Sequence, residues 1–233
     1  MVYCMAHHTS SPLNILYQDE WLVAVDKPAG HLVHPADKPQ EGDLVTMKIL
    51  RDQIGRQVYN IHRIDRPTTG VLLFATDKAV ARHLHRALER HEVVKSYLAI
   101  TLGNPVQDTW ECHEPIQKYP ESPVRDAHTS FVLLDQTVID THSLSLVEAQ
   151  PHTGRFHQIR RHLLHAGIPI IGDYRYAGIE KSDMLGSALG TGSRMLLQSR
   201  SISFDHPVTH DNVIIQAPSD PLFLKCFPDS LSL

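Results

Sequence analysis

The sequence lacks the features that mark several common protein classes. Its 233 residues contain only three cysteines, widely spaced, which argues against a disulfide framework and a CxxC metal site. No apolar run reaches the roughly 18 residues that a membrane-spanning helix needs. The N-terminal residues lack the basic start and apolar core of a secretory signal. We therefore expect a cytoplasmic protein with no membrane partner.

Several catalytic and cofactor motifs are also missing. The sequence contains no GxxxxGK[ST] and no GxGxxG after a strand, so nothing in it predicts a nucleotide-phosphate site. It contains neither HExxH nor GxSxG. Among its 17 histidines, His162 and His165 would share a helix face, while His157 would lie roughly 140° away from His162. Because the sequence supplies no third ligand for that pair, we expect no metal.

An excess of basic charge is missing overall but present locally. The net charge of −4 argues against a polyanionic partner. However, residues 51–100 carry nine basic and five acidic side chains, and residues 151–200 carry seven and three. These two segments would attract a phosphate backbone. The alternative interpretation is two solvated helix faces.

Hydrophobic periodicity predicts an α+β fold, built on a mixed, mostly antiparallel central sheet with inserted helices. The predicted strands are residues 15–17, 21–25, 70–76, 93–102, 131–134, 143–148, 195–204 and 212–216. The predicted helices are residues 45–54, a helix N-capped by Asp77, and residues 155–166. Residues 105–126 are expected to form loops or short edge strands, and residues 177–193 a Gly/Ser-rich loop.

The segment most suggestive of chemistry is residues 62–70, which places one carboxylate among cationic side chains ahead of a buried strand. Asp65 lies between Arg63 and Arg66, so it should stay ionised. An ionised carboxylate can act as a nucleophile or a general base. A structural ion pair that shapes the loop is the alternative interpretation.

Residues 62–75 (HRIDRPTTGVLLFA) resemble the HRLDxxTSGxxxxA motif of the RluA family of RNA pseudouridine synthases. Four further segments match that family in the same order, and the resemblance covers residues 13–218. They are residues 27–30 (its KPxG turn), 95–97 (KxY), 151–160 (PxTGRxHQxR) and 169–173 (PIxGD).

The resemblance implies an isomerase that converts uridine in RNA to pseudouridine without a cofactor or a metal. Asp65 occupies the position of the family's catalytic aspartate, and Arg160 that of the arginine paired with it. Tyr97 stands where a tyrosine stacks on the reacting base. Taken singly, Tyr97 could be a core residue and Arg160 a surface charge.

The resemblance also suggests substrate-binding residues. Arg63 stands where an arginine fills the gap left by a flipped nucleotide, and His62, Lys95 and Arg155 are expected to contact the RNA. Extruding a base costs a few kcal/mol, of which stacking on an aromatic face can recover about 1–3 kcal/mol. Whether Asp65 adds to the base, adds to the sugar or abstracts a sugar proton is open at this point.

The sequence departs from the family pattern in three places. Ile64 and Thr69 replace a leucine and a serine, which are small changes of shape. Gln198 and Ser199 replace the usual His-Ala pair, so no histidine role is carried to that position.

Short stretches most resemble a compact, tRNA-modifying branch of the family. We therefore expect RNA as the partner, with tRNA (its acceptor/T-stem region) favoured over ribosomal RNA. A ribosomal or dual-specificity enzyme, or a non-catalytic RNA-binding module, remains the alternative. We expect a monomer with an N-terminal extension at residues 1–12, taken to be flexible, and a single catalytic domain at residues 13–233. No separate N-terminal RNA-binding domain is expected.

Overall fold

A computed structural model describes residues 11–231, so residues 1–10 of the predicted N-terminal extension lie outside the described residues. The strands are β1 Asn14–Gln18, β2 Leu22–Lys27, β3 Tyr59–Asn60, β4 Thr69–Ala75, β5 Val94–Leu102, β6 Thr109–Cys112, β7 Thr129–Ile139, β8 His142–Pro151, β9 Leu197–Asp205 and β10 Asn212–Gln216. The helices are α1 Thr46–Ile54, α2 Lys78–Glu89, α3 Gln158–His165, α4 Ile179–Ala188 and α5 Pro221–Cys226.

One sheet runs through the described residues in the order β1–β2–β4–β9–β5–β8–β7–β6, with β10 paired to β9 and β3 to β4. The pairing of β4 with β9 is parallel, and the other strand pairs are antiparallel. Helices α1 to α4 are inserted between strands, and α5 follows β10. The prediction of a mixed, mostly antiparallel α+β fold is confirmed.

Strand β4, which follows the Asp65 loop, lies inside the sheet between β2 and β9. All seven of its residues are buried, as its continuous apolar sequence predicts for a strand covered on both faces. The next helix, α2, begins at the predicted cap, where the Asp77 carboxylate accepts the backbone N–H groups of Ala79 (2.7 Å) and Val80 (3.0 Å). Its buried face includes Val80 and Leu84, each worth about 1.5–3 kcal/mol on burial.

Gly70 allows β4 to approach β9. Its φ of +99° lies in the left-handed region, and a Cβ there would overlap the backbone carbonyl of Ser199. Gly70 and Ser199 are direct partners in the parallel pairing of the two strands. This contact fixes the first residues of β4, immediately after the Asp65 loop.

The prediction of a loop over residues 177–193 is wrong, because α4 lies within it. Leu185 and Leu189 are buried in a core cluster with residues of β5 and β8. Gly186 packs so closely that a Cβ there would overlap the carbonyl of Gly192. At Gly186, the glycine therefore permits close packing of a helix instead of forming a loop.

The hairpin of β7 and β8 is longer than predicted. Its register shifts between Leu133 and Asp135, which interrupts the alternation of apolar and polar residues along β7. Strand β6 pairs with β7 as an edge strand, in keeping with the prediction for residues 105–126. Within residues 11–231, no helix is long and apolar enough to cross a membrane.

Candidate active site

The loop that carries Asp65 is held in place by backbone hydrogen bonds. The Thr68 N–H donates to the carbonyl of Asp65 at 3.1 Å, which closes a tight turn. The Gly30 N–H donates to the carbonyl of Arg66 at 2.8 Å, so the Asp65 loop is joined to the turn after β2. These bonds fix the backbone from which the Asp65 carboxylate projects.

Lys27 strengthens the same junction from inside the protein. It is completely buried, and its Nζ donates to the carbonyls of Pro28 (2.8 Å), His31 (3.0 Å) and Arg66 (3.1 Å). Burial lowers the pKa of this ammonium group to about 7, while the charge of Asp65 acts in the opposite direction. Three carbonyl acceptors match the three donors of the side chain, so Lys27 joins the two turns.

Arg160, the third residue of α3, connects Asp65 to a second carboxylate. Its Nη1 donates to Asp65 Oδ2 at 3.0 Å. Its Nε and Nη2 donate to the two oxygens of Asp173, at 2.8 and 2.7 Å. Burial acts to lower the pKa of Arg160, but the hydrogen bonds and charges of Asp173 and Asp65 raise it overall. The guanidinium is therefore charged, and it is fixed by the bidentate pair with Asp173.

The two carboxylates differ in their access to solvent. The Asp173 side chain is 1% exposed, whereas that of Asp65 is 26% exposed. The Tyr176 backbone N–H also donates to Asp173, at 3.3 Å. Asp173 is thus enclosed by protein donors, and Asp65 is held while it still faces an open space.

Helix α3 begins at Gln158, three residues later than predicted, because His157 adopts a left-handed backbone conformation (φ +53°). The Gln158 side chain organises this start. Its Oε1 accepts the hydroxyl of Thr153 (2.7 Å) and the backbone N–H of Arg155 (2.9 Å), and its Nε2 donates to the carbonyl of His128 (2.9 Å). These hydrogen bonds hold the turn before α3 in place. Arg160 follows two residues after Gln158 in the helix, so the same bonds help to position it.

His157 lies beside Asp65, a position that the sequence pattern did not predict. Its Nε2 is 3.9 Å from Asp65 Oδ2, and its Nδ1 is 3.0 Å from the Tyr176 hydroxyl. Burial lowers the pKa of His157 to about 4, with Asp65 opposing and Arg160 reinforcing that shift. At neutral pH the ring is therefore uncharged, and Arg160 supplies the positive charge next to Asp65.

Tyr97 of β5 lines the same cavity as Asp65 and Arg160, which has a volume of about 110 Å³. The ring is 7% exposed. Burial raises the pKa of its hydroxyl to about 12, and the charge of Asp65 acts in the same direction. A neutral aromatic ring therefore borders a small cavity that contains an ion-paired carboxylate.

The predicted substrate-binding cations lie around this cavity. Arg63, Lys95 and Arg155 all line it, and a wider groove of about 1080 Å³ adjoins them. Arg63 is exposed, with Nη1 3.2 Å from His34 Nε2. The Arg155 Nε donates to the carbonyl of Asp126 at 2.8 Å. Burial lowers the pKa of Lys95.

His62 differs from the other predicted site residues. It lines the wider groove but not the small cavity. Its Nε2 accepts the backbone N–H of Leu73 at 3.2 Å, and burial is the main cause that lowers its pKa to about 3. The ring is thus neutral and bonded to β4, and its contact with a substrate stays a prediction.

The histidines of the predicted helix do not form a metal site. His162 is completely buried, with Nδ1 2.9 Å from Thr129 Oγ1 and Nε2 2.9 Å from the carbonyl of Glu114. Both ring nitrogens are therefore engaged. In the described part of the chain, one group of potential metal ligands is compact enough for an ion, formed by Glu111, His113 and His128. None of these three lines the Asp65 cavity.

The sequence predicted Asp65, Tyr97 and Arg160 as site residues, and all three line one cavity, but it assigned no role to Asp173 or His157. Both residues lie within segments that resemble family motifs, residues 169–173 and 151–160. A titratable residue inside a matched motif was the signal that could have identified them.

Comparison with known proteins supplies a family context. A family model described as RNA pseudouridylate synthase matches residues 21–165. A tRNA pseudouridine synthase C of Pasteurella multocida (strain Pm70) is 39% identical over 228 residues, which are 91% of this chain and 93% of that protein.

Two further comparisons differ in coverage and in what they support. A tRNA pseudouridine synthase C of Pectobacterium carotovorum subsp. carotovorum is 37% identical over 94% of this chain, which spans 62% of the length of that relative. The structure of Human RNA Pseudouridylate Synthase Domain Containing 4 superposes with a TM-score of 0.73 at 24% identity, covering 91% of this chain and 90% of that one. The human structure supports the fold.

Proposed function

The chain belongs to the RNA pseudouridylate synthase family, and we propose that it isomerises a specific uridine of tRNA to pseudouridine. The resemblance to the RluA branch of that family, inferred from five ordered motifs, is confirmed by the family match. The reaction class is therefore the isomerisation of uridine to pseudouridine in RNA. The choice of tRNA and the roles of individual residues form the proposal.

One observation carries the assignment of the active site: Arg160 bonds Asp65 at 3.0 Å in the wall of a cavity that Tyr97 also lines. The charged guanidinium lies against the carboxylate and orients it, as a nucleophile or general base requires. The bidentate bond to Asp173 holds the Arg160 guanidinium in one position, independently of the Asp65 side chain. A module that only bound RNA would not need this arrangement.

Access to the target base requires its extrusion from the RNA. A uridine inside a helix must leave the base stack, at a cost of a few kcal/mol. In our proposal Tyr97 stacks on the extruded base, which recovers about 1–3 kcal/mol. Arg63, exposed at the cavity mouth, occupies the space that the base has left. Lys95 and Arg155 contact the adjoining phosphates.

Asp65 starts the reaction on the uridine held in the cavity. The N1–C1′ bond breaks, the base turns within the pocket, and a C5–C1′ bond forms. Loss of the C5 proton and protonation of N1 balance the isomerisation. Attack on the base, attack on the sugar and removal of a sugar proton all require an oriented Asp65 carboxylate, and the bond from Arg160 orients it.

The proposal of tRNA as substrate rests on the relatives. The proteins named tRNA pseudouridine synthase C match this chain at 34–39% identity. The groove beside the cavity is lined by basic residues from both basic segments of the sequence, including Arg63, Arg66 and Arg155. We propose that the acceptor/T-stem region of a tRNA lies in this groove and that residues 13–233 act as a single, monomeric catalytic domain.

Pseudouridine mapping of total RNA tests this proposal. A strain lacking the gene should miss one pseudouridine in the acceptor or T-stem region of a tRNA. Restoring the wild-type gene should return that modification, whereas restoring the Asp65→Asn variant should not. Loss of a ribosomal pseudouridine instead would refute tRNA as the substrate, and an unchanged map would refute the enzymatic assignment.

A further inference from the structure

Three potential metal ligands meet where β6 ends and β7 begins. Glu111 lies in β6, His113 follows that strand, and His128 immediately precedes β7. The two strands pair antiparallel with Cys112 opposite Thr129, so the next residues outward, His113 and His128, lie across from each other. Glu111 and His113 are two residues apart, which places them on one face of an extended chain.

The geometry of these side chains is close to that of a tetrahedral site. Glu111 Oε2 lies 3.2 Å from His113 Nε2 and 3.5 Å from His128 Nε2. All three ligand atoms lie within 4.8 Å of one another. In a tetrahedral zinc site with ligands at about 2.0–2.1 Å, neighbouring ligand atoms lie about 3.3 Å apart. Two of the distances already fit, and the exposed His113 ring can turn to shorten the third.

The His128 ring provides an independent indication of a ligand. Its Nε2 is buried and forms no hydrogen bond within residues 11–231, although it points towards Glu111. The backbone of His128 is rigid, since its N–H donates to Thr153 Oγ1 (3.0 Å) and its carbonyl accepts the N–H of His152 (3.0 Å). A buried ring nitrogen that faces a carboxylate at 3.5 Å without forming a hydrogen bond to it is suited to a metal ion.

Neighbouring side chains support the cluster from outside. The Ser130 hydroxyl lies 3.4 Å from Glu111 Oε1 and 2.7 Å from His152 Nε2. The His152 ring stacks on that of His128, with ring centroids 4.1 Å apart. The His113 ring lies on the other proposed histidine ligand, with centroids 4.2 Å apart, so the exposed His113 ring turns out of this stack when both nitrogens bind one ion. A hydrogen bond to a ligating carboxylate, such as that from Ser130 to Glu111, is a usual part of the surroundings of a metal site.

We propose that Glu111, His113 and His128 bind a divalent transition metal of the zinc class, with water as the fourth ligand. Imidazole nitrogens favour zinc over magnesium and calcium, which take oxygen ligands. The ion joins the end of β6 to the start of β7. His152 lines the wider groove beside the Asp65 cavity, so the metal ion also places positive charge next to that groove. This departs from the expectation of no metal, which considered only the histidines of α3.

Calorimetric titration of the metal-free full-length protein with Zn²⁺ tests the proposal. Because His7 and His8 near the N-terminus could bind zinc themselves, all variants carry His7→Ala and His8→Ala. We expect one equivalent of Zn²⁺ to bind to this background protein. Glu111→Gln and His113→Asn should each weaken the affinity at least tenfold. Cobalt(II) in place of zinc should give the intense visible absorption of a four-coordinate ion.

His165→Asn is the matched control. His165 lies 4.0 Å from the Glu114 carboxylate and is exposed like His113, but in the described residues it has no third ligand nearby. This variant should bind zinc as the background protein does. The proposal is overturned if the background protein binds no stoichiometric zinc, or if Glu111→Gln and His113→Asn retain its affinity. Urea unfolding of each variant verifies that the fold is intact, and both substitutions alter exposed side chains.

Discussion

Asp65 and Asp173 share one arginine, yet they lie in different environments. Asp173, in the turn after Ile171, binds Arg160 through both oxygens and is almost completely buried. Asp65, in the loop before β4, binds Arg160 through one oxygen and is a quarter exposed. The comparison shows how one guanidinium can be anchored by the first carboxylate and can orient the second. Asp173 is enclosed by protein, and Asp65 is the carboxylate that faces the open cavity.

The largest effect on stability is expected at Asp173. Asp173→Asn removes the bidentate partner of a buried arginine and leaves its charge poorly compensated. We expect the free energy of unfolding to fall by about 3–5 kcal/mol, as measured by urea denaturation. Activity should fall with it, because Arg160 would no longer be fixed beside Asp65.

Asp183→Asn serves as the control for that experiment. Asp183 is exposed and accepts a hydrogen bond from Tyr174 at 2.6 Å. Its substitution should change the free energy of unfolding by less than about 1 kcal/mol. If Asp173→Asn were as stable as this control, Asp173 would not be the anchor of Arg160.

A smaller effect is expected at Tyr97, which lines the cavity that Asp65 faces. Substitution there should change the activity and not the stability. Tyr97→Leu removes the stacking face, worth about 1–3 kcal/mol, so kcat/KM for pseudouridine formation should fall by about 5- to 150-fold. Tyr97→Phe keeps that face and should retain most of the activity. An equal loss of kcat/KM in both variants would show that the Tyr97 hydroxyl, and not the ring face, is the group that the reaction needs.

The last effect concerns the dependence of stability on pH near Asp65. His157 takes up a proton near pH 6.5 in the unfolded chain but only near pH 4 in the fold. Between these values the unfolded state binds more protons, so the free energy of unfolding should fall as the pH is lowered from 6.5 to 4.

His157→Gln should reduce this slope, whereas the exposed His165→Asn should not. Urea unfolding at several pH values measures it. His62, whose pKa is also lowered, should leave a residual slope in the His157 variant. An unchanged slope in His157→Gln would show that this ring is not the group that titrates.

Much of the fold was predictable because its signals are local. The apolar run of β4 and the Asp77 cap of α2 each lie within a few consecutive residues. The errors arose where distant contacts decide the structure. Gly186 permits α4 to pack on Gly192, and His157 delays the start of α3, and neither effect is visible in hydrophobic periodicity.

More of the candidate active site than of the proposed metal site could be predicted from the sequence. Asp65, Tyr97 and Arg160 lie in segments that resemble family motifs, so the sequence alone is enough to assign them to one site. The proposed metal ligands are separated in sequence by an irregular segment between β6 and β7. Only the register of that strand pair brings His113 and His128 together, and no motif spacing in the sequence predicts this contact.

The most direct test of Asp65 as the catalytic carboxylate is the Asp65→Asn variant, assayed for pseudouridine formation and for binding of the same tRNA. The amide removes the negative charge but keeps the shape, and Arg160 retains its pairing with Asp173. Pseudouridine formation should fall by about 10⁴-fold or more, while the affinity for tRNA and the free energy of unfolding stay close to those of the wild type. Substantial activity in this variant would contradict the catalytic role of Asp65.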